Sequence, residues 1–258
     1  MSNRNIRIQL LARELLANPS RNIRDLSSQF QVSEMTIRRD LQYIKDNHLI
    51  SPNEAPAKAV ASTPAVHAQA AYEFSEAQIS HADAKRRIGA YAASLITPND
   101  VLILDTGTTV NALAENLPED FPYTVICYNS NILPYIRARN NISLILAGGY
   151  YHTGSMSFES KENIELLSRL RATKIFVSTS GVERTGLTCS NQYEVITKQT
   201  AIASSMKKIL LCDSSKFGII RSSFFARLTD MDMVISDTDL SEDWVDYMHE
   251  AKLHVDLV

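Results

Sequence analysis

The sequence predicts an α/β protein with a small helical N-terminal domain and a larger second domain built around a mainly parallel sheet. Three helical patterns fill the first fifty residues. Beyond residue 81, short apolar runs such as VLILD (101–105) and MDMVISD alternate with helical patterns, which is typical of parallel strands covered on both faces. These patterns place the first domain at residues 1–52 and the second at residues 81–258.

The segment between the two domains, residues 53–80, is predicted to be a linker. From Ser51 to Tyr72 the chain contains eight alanines, three prolines and two charged residues, a composition that disfavours a packed element. An alanine-rich helical piece after Pro64 fits the same residues equally well.

The composition is that of an ordinary soluble globular protein, with 45% apolar and 21% charged residues. No apolar run approaches the roughly 18–20 residues needed to cross a bilayer, so we expect no membrane partner. Three widely spaced cysteines suit a reducing compartment better than a disulfide framework. The chain is therefore expected in the cytoplasm.

Charge is distributed unevenly between the two predicted domains. Residues 1–50 contain eight Lys/Arg and five Asp/Glu, a net charge of +3, whereas the remaining chain contains eighteen against twenty-four, a net charge of −6. A small basic segment on a larger acidic body indicates that the first domain is the part that meets a polyanion.

The three N-terminal helices are predicted with distinct beginnings and ends. The first covers residues 4–17; the second begins with a cap at Asn22 and runs to Phe30. After a short turn, Ser33 caps a third helix that continues to about Asp46. The apolar side of this third helix is predicted to comprise Met35 or Thr36, Ile37, Leu41 and Ile44. A short helix, a tight turn and a capped helix form the helix-turn-helix layout, in which the last helix enters the major groove of DNA.

Two adjacent arginines in the stretch SEMTIRRDL (33–41) have a role in this layout. On a solvated helix face they would need no explanation, which is the alternative interpretation. In the helix-turn-helix layout they lie in the half of the helix that enters the groove, where arginine contacts guanine or phosphate and hydroxyls reach phosphates and base edges. The residues predicted to contact DNA are Ser33, Glu34, Thr36, Arg38 and Arg39.

Small, hydroxylated and glycine residues follow the predicted strands of the second domain, where parallel sheets bind their ligands. Gly107 lets the backbone approach a ligand closely, and the helix that follows offers unpaired N–H groups. Any one such turn also fits a simple tight connection. Together they predict a site for a small phosphorylated, hydroxyl-rich molecule. The predicted binding residues are Asp105, Thr106, Gly107, Thr108, Thr109, Asn129, Gly148, Gly149, Ser180, Gly181, Glu194, Lys198, Asp213 and Lys216.

Five motifs, SEMTIRRDL, DTGTT, AGG, SGV and DSSKFG, occur in this order and resemble the DeoR family of bacterial repressors. The resemblance extends from about residue 4 to residue 258. It implies a winged-helix-like DNA-binding domain and a sensor domain similar to ribose-5-phosphate isomerase, in which a loop like residues 106–109 binds phosphate. It also implies release from operator DNA by a phosphorylated sugar such as deoxyribose 5-phosphate. The stretch HLISPNEAPAKA lacks the arginine and paired glycines of the usual wing, which leaves wing contacts with DNA open.

Two other functions fit parts of the sequence: a sugar-phosphate isomerase or kinase-like enzyme that carries a DNA-binding domain, and a DNA-binding protein whose second domain is purely structural. The isomerases that the family resembles carry a pair of aspartates in the turn that reads STSGV here (178–182). This turn contains no acidic residue, and the first acid after it is Glu183. Glu194 and Lys198 could supply only one base and one cation. A DNA-binding protein with a purely structural second domain would leave the polar strand ends unexplained.

We therefore expect a repressor that is not an enzyme. The six histidines show no metal-ligand spacing, so neither a metal nor a cofactor is expected. The expected partners are operator DNA and a small phosphorylated sugar. Because helix-turn-helix proteins commonly bind paired half-sites, we also expect a homo-oligomer, a dimer or larger.

Overall fold

The computed structural model describes residues 11, 23–30, 32–46, 74–137 and 139–258. The chain divides into two compact units, residues 1–66 and 67–258. The predicted first helix apart from Leu11, the cap at Asn22, the region of the wing and the linker up to residue 73, with any helical piece after Pro64, lie outside the described residues. Among the described residues, no helix is both long and apolar enough to span a membrane.

The first unit contains the short helix and the capped helix that the sequence predicts. Helix α1 covers Ile23–Gln29 and helix α2 covers Glu34–Asp46. Ser33 caps α2, because its hydroxyl oxygen accepts a hydrogen bond from the Thr36 N–H at 3.2 Å. The N–H groups of a first helical turn have no intrahelical partner, and this bond satisfies one of them.

The helices of the first unit are held by a small apolar cluster. Leu11, Leu26 and Ile37 are fully buried in it. The inward residue beside Ile37 is Thr36, which is partly buried, whereas Met35 is 62% exposed. Neighbouring helical positions differ by about 100°. With Ile37 buried, Met35, Arg38 and Arg39 therefore lie on the solvent side of α2.

The second unit is built on a seven-stranded sheet with two smaller sheets beside it. The strands are β1 (Val101–Leu104), β2 (Tyr123–Cys127), β3 (Ile142–Leu146), β4 (Tyr150–His152), β5 (Ser157–Glu159), β6 (Ala172–Ser178), β7 (Gly181–Glu183), β8 (Gly186–Cys189), β9 (Ser205–Leu211), β10 (Ser223–Ala226), β11 (Met233–Ser236) and β12 (His254–Leu257). The large sheet has the order β12-β11-β9-β6-β1-β2-β3, and its neighbouring strands are parallel throughout. The predicted mainly parallel α/β fold is confirmed.

Helices cover both faces of the large sheet. The α-helices described in this unit are α3 (Phe74–Ile79), α4 (Ala82–Ser94), α5 (Thr108–Ala114), α6 (Leu133–Ile136), α7 (Lys161–Arg169), α8 (Glu194–Ala203) and α9 (Glu242–Glu250). Successive side chains of β1 enter different cores, because side chains alternate across a strand. Leu102 and Leu104 lie in one buried cluster with Phe176, while Ile103 lies in the other with Ile175. Burial on both faces explains why the strands read as continuous apolar runs.

Several short elements of the second unit were not predicted. Strands β10, β8 and β7 form an antiparallel sheet, and β4 pairs with β5 in an antiparallel hairpin. Helix α3 lies within the segment predicted to be a linker, residues 53–80. Strands of three or four residues and a six-residue helix are too short to show a period in the sequence.

Candidate functional site

A cavity of about 230 Å³ lies at the carboxyl ends of β1 and β6 in the second unit. The chain order of the sheet reverses between these two strands, with β2 and β3 on one side and β9, β11 and β12 on the other. Open parallel sheets bind ligands at such switch points. The hydroxyl side chains that line the cavity are those of Thr106, Thr108, Thr109, Ser178, Thr179 and Ser180, together with Ser80 and Ser190.

The turn after β1 brings its backbone unusually close to β6. Gly107 has φ +115, and a Cβ atom at this position would lie 2.1 Å from Ser178 Oγ. Only glycine fits both the backbone angle and the space. The turn leads directly into α5, so Thr106, Thr108 and Thr109 enter the cavity together from one short segment.

A buried ion pair lies at the base of this cavity. Lys198 Nζ is 2.5 Å from Asp105 Oδ2, and the two side chains are 3% and 1% exposed. The Ser178 N–H donates to the same carboxylate oxygen at 2.9 Å, while the Tyr128 hydroxyl donates to the other. Both oxygens of Asp105 are therefore occupied by the protein. Asp105 positions Lys198 rather than offering a free acceptor to a ligand.

The charges around Lys198 keep it protonated. Burial alone would lower the pKa of Lys198, but the carboxylates of Asp105 and Glu194 outweigh it and raise the pKa above its usual value. Glu194 is half-buried and lines the cavity itself, and its Oε1 accepts a hydrogen bond from Asn191 Nδ2 at 2.7 Å. Burial raises the pKa of the Glu194 carboxyl, against the opposing effect of Lys198. The base of the cavity thus offers one ammonium and one acid to a polar ligand.

Three further cations, Lys85, Lys216 and Arg221, line the same cavity. The ammonium of Lys85 is buried and lies 4.0 Å from Asp213 Oδ2. Burial lowers the pKa of Lys85 to about 8, with Asp213 raising it and Lys216 lowering it further. With Lys198, four cationic side chains line the cavity and Glu194 is the single acid there among the residues that the structure describes, so the cavity suits an anion.

The structure brings most of the predicted binding residues together. Those that line the cavity are Thr106, Gly107, Thr108, Thr109, Ser180, Glu194, Lys198 and Lys216. Asp105, Asn129, Gly181 and Asp213 are buried behind this lining. Asn129, for example, uses its Nδ2 to donate to the carbonyl oxygen of Asp105 at 3.0 Å. These four support the cavity wall instead of facing its interior.

Gly148 and Gly149 do not join the other predicted binding residues. They follow β3, which is the edge strand of the sheet and lies two strands away from β1. There they line a separate shallow depression with Ser160 and Asn163. The cavity is lined at the carboxyl ends of β1, β6 and β9, whereas β3 lies on the opposite side of β1 from β6 and β9.

Lys85 and Arg221 were missed by reasoning from the sequence. Lys85 stands in the run AKRRIGA, which reads as a solvated charged face, and its neighbours Arg86 and Arg87 are indeed exposed. A signal was present nonetheless: Lys85, Ile88, Gly89 and Ala92 are spaced as one helical face, and all are buried. Arg221 follows a loop whose path the sequence does not reveal.

The predicted DNA-contacting residues lie at the N-terminal half of α2. Ser33, Glu34, Arg38 and Arg39 are exposed, and Thr36 is partly buried with its hydroxyl 2.9 Å from that of Ser33. Arg38 and Arg39 come directly after the buried Ile37 in the sequence and lie on the solvent side of the helix. The arginines are exposed on a capped helix, as the helix-turn-helix layout requires, and their contact with DNA stays a prediction.

A helix-turn-helix unit combined with an α/β unit that holds a cationic cavity defines a ligand-responsive class of DNA-binding regulators. The chain belongs to the DeoR family: residues 7–53 match the DeoR-like helix-turn-helix domain and residues 80–238 match the DeoR C terminal sensor domain. The expected family membership is confirmed.

Two relatives span nearly the whole chain. The Deoxyribose operon repressor of Escherichia coli (strain K12) is 29% identical over 250 residues, covering 96% of each chain. The HTH-type transcriptional regulator YulB of Bacillus subtilis (strain 168) is 31% identical over 237 residues, covering 92% of this chain and 90% of its own. Both are named as regulators of transcription, and the expectation that the chain is a regulator and not an enzyme is confirmed.

Among solved structures, ribose 5-phosphate isomerase A from Methanocaldococcus jannaschii shows a distant likeness of fold. It is 17% identical, with a TM-score of 0.40 and coverage of 54% of this chain and 55% of its own.

Proposed function

We propose that this regulator represses a sugar or nucleoside catabolic operon in the cytoplasm and leaves its operator when a phosphorylated sugar occupies the cavity. One observation carries the proposal: the hydroxyl-rich turn 106–109 lines the same cavity as Lys85, Lys216 and Arg221. We place the DNA-binding domain at residues 1–52, the sensor domain at 81–258, and the connection, which includes α3, between them.

A phosphate group matches the cationic side of this cavity. It carries a charge of about −1.5 to −2 near neutral pH and presents strong acceptor oxygens to Lys216, Arg221 and the threonine hydroxyls. Sugar hydroxyls both donate and accept, which suits the neighbouring Glu194 and Lys198. The cavity volume of about 230 Å³ lies just below the roughly 300–1,000 Å³ of drug-sized pockets, which favours a small ligand.

Deoxyribose 5-phosphate is the first effector to test, because the E. coli relative is the Deoxyribose operon repressor. Thermal unfolding should be measured with deoxyribose 5-phosphate, ribose 5-phosphate and unphosphorylated deoxyribose. A ligand at 100 times its dissociation constant adds about 2.7 kcal/mol of stability. The proposal is supported if the phosphorylated sugars raise the unfolding temperature and unphosphorylated deoxyribose does not. A shift with deoxyribose that equals the shift with its phosphate would contradict it.

Replacing Arg38 or Arg39 with alanine is expected to weaken operator binding, by about 1–3 kcal/mol where the arginine contacts guanine. The exposed position of both side chains at the start of α2 motivates the prediction. Fluorescence anisotropy with labelled operator measures the effect, and Arg171→Ala, which removes an exposed arginine from the second unit, is the control. If both α2 variants bind like the parent, α2 is not the recognition helix.

We further propose that the protein binds DNA as a homo-oligomer. A single helix-turn-helix unit with a net charge of +3 over residues 1–50 offers few phosphate contacts, and paired half-sites require at least two units. Light scattering at operator-binding concentrations should give a dimer or a larger species. A monomer under those conditions contradicts the proposal.

The affinity for a phosphorylated ligand is expected to fall as the pH rises through about 8. The pKa of Lys85 is lowered to about 8, so its ammonium is charged below that pH and neutral above it. Isothermal titration calorimetry across this range should show the loss in the parent and a flat profile in Lys85→Met. A parent profile that is also flat would remove Lys85 from the anion site.

A further inference from the structure

Helix α3 forms part of the wall of the cavity. Ala77 within the helix and Ser80 just after it both line the space. The helix is attached at its start, where Phe74 is 6% exposed and its N–H donates to the Gly154 carbonyl oxygen at 2.8 Å. Six residues cannot form a stable helix alone in water, so α3 depends on such attachments.

The attachment at the other end of α3 is the ammonium of Lys85. Lys85 Nζ donates to the carbonyl oxygens of Ala77 at 2.6 Å and Ser80 at 2.7 Å. An ammonium has three donors, and these two bonds use two of them. Among the described residues, the acid nearest to the third donor is Asp213, whose Oδ2 is 4.0 Å away and is buried with no hydrogen-bond partner. Lys85 therefore retains one donor in a cavity that suits an anion.

We propose that α3 and the turn at Ser80 are a strap over the cavity, and that an anion bound in the cavity tightens this strap through Lys85. An anion oxygen takes the third donor without displacing either carbonyl. Its charge also favours the protonated ammonium, which strengthens the two bonds to the strap. The proposal rests on the proposed binding of a phosphorylated ligand in this cavity.

The strap has a consequence for regulation because of its place in the chain. Helix α3 is the first described element after residues 47–73, which connect it to the helix-turn-helix unit. Tightening α3 fixes the point from which that connection leaves the sensor domain. A ligand then acts on DNA binding by ordering the end of the connection that adjoins the sensor domain, provided that the two states of α3 differ in ligand affinity.

Hydrogen exchange of the full-length protein, read by mass spectrometry, tests the strap with deoxyribose 5-phosphate as the probe. We expect saturating probe to slow exchange in residues 74–81 about tenfold, as one added charge-assisted hydrogen bond would. Protection of residues 106–109 reports binding in the cavity independently. Protection at 106–109 with unchanged or faster exchange at 74–81 overturns the strap and leaves the proposed function standing. No protection at either segment overturns both.

A pair of variants separates the role of Lys85 from a general loss of charge. In Lys85→Met, residues 106–109 should still gain protection at saturating probe, while residues 74–81 should no longer respond. Arg86→Met removes the next cation of the same helix, whose side chain is exposed, and should keep the parent response at both segments. A response of residues 74–81 that survives in Lys85→Met contradicts the inference. Should Lys85→Met fail to fold, unchanged exchange of residues 74–81 in the parent protein at saturating probe still overturns the inference.

Discussion

Replacing Lys198 with methionine is expected to lower the free energy of unfolding of the second unit by about 3–5 kcal/mol. Lys198 and Asp105 are almost completely buried, so methionine would leave the Asp105 carboxylate without its counter-ion. The hydrogen bonds from Ser178 and Tyr128 remain but do not neutralise the charge. Urea unfolding can be followed by the fluorescence of Trp244, the single tryptophan of the chain, which lies in this unit.

Two controls distinguish loss of the ion pair from loss of a lysine. Lys207→Met removes an exposed lysine of the same unit and should change stability by less than about 0.5 kcal/mol. Lys198→Met combined with Asp105→Asn should be less destabilised than the sum of the single variants, because the second change removes the stranded charge. A loss below about 1 kcal/mol in Lys198→Met would show that the pair contributes little to the sensor domain.

Lys216→Ala and Thr108→Ala are expected to bind operator like the parent and to lose release by the sugar phosphate. Both side chains line the cavity, and neither belongs to the helix-turn-helix unit. Effector and DNA affect each other through one coupling free energy, commonly a factor of about 5–150 in affinity. A variant that cannot hold the phosphate loses this factor while keeping its DNA contacts, which in a cell means permanent repression.

The comparison is operator affinity with and without deoxyribose 5-phosphate, for the parent and both variants. Lys161→Ala, at an exposed position on α7, should be released like the parent. Release of the Lys216 and Thr108 variants at the same effector concentration as the parent would mean that the effector binds elsewhere.

The parts of the fold that the sequence predicted depend on local signals. The cap at Ser33 is a local signal, because its hydrogen bond with the Thr36 N–H is made within one turn. Apolar runs such as VLILD mark buried parallel strands, since both faces of the sheet are covered. The same kind of reasoning placed most of the predicted binding residues at one cavity, because the ends of parallel strands share one edge of the sheet.

The parts that were missed depend on contacts between distant segments. Helix α3 is fixed by Gly154 and Lys85, which the sequence of α3 itself does not reveal. Arg221 reaches the cavity through a loop that is held to Thr188 by a backbone N–H bond of 2.9 Å. The sequence grouped Gly148 and Gly149 with the other predicted binding residues, because sequence patterns do not show the order of the strands in the sheet.

The central claim is that a phosphorylated sugar in this cavity releases the protein from DNA. Its most direct test is fluorescence anisotropy of a labelled operator bound to the parent protein, titrated with deoxyribose 5-phosphate and, separately, with unphosphorylated deoxyribose. We predict a fall in anisotropy to the value of free DNA with the phosphate and no change with the unphosphorylated sugar. Operator that stays bound at saturating deoxyribose 5-phosphate and at saturating concentrations of other pentose and hexose phosphates would contradict the claim.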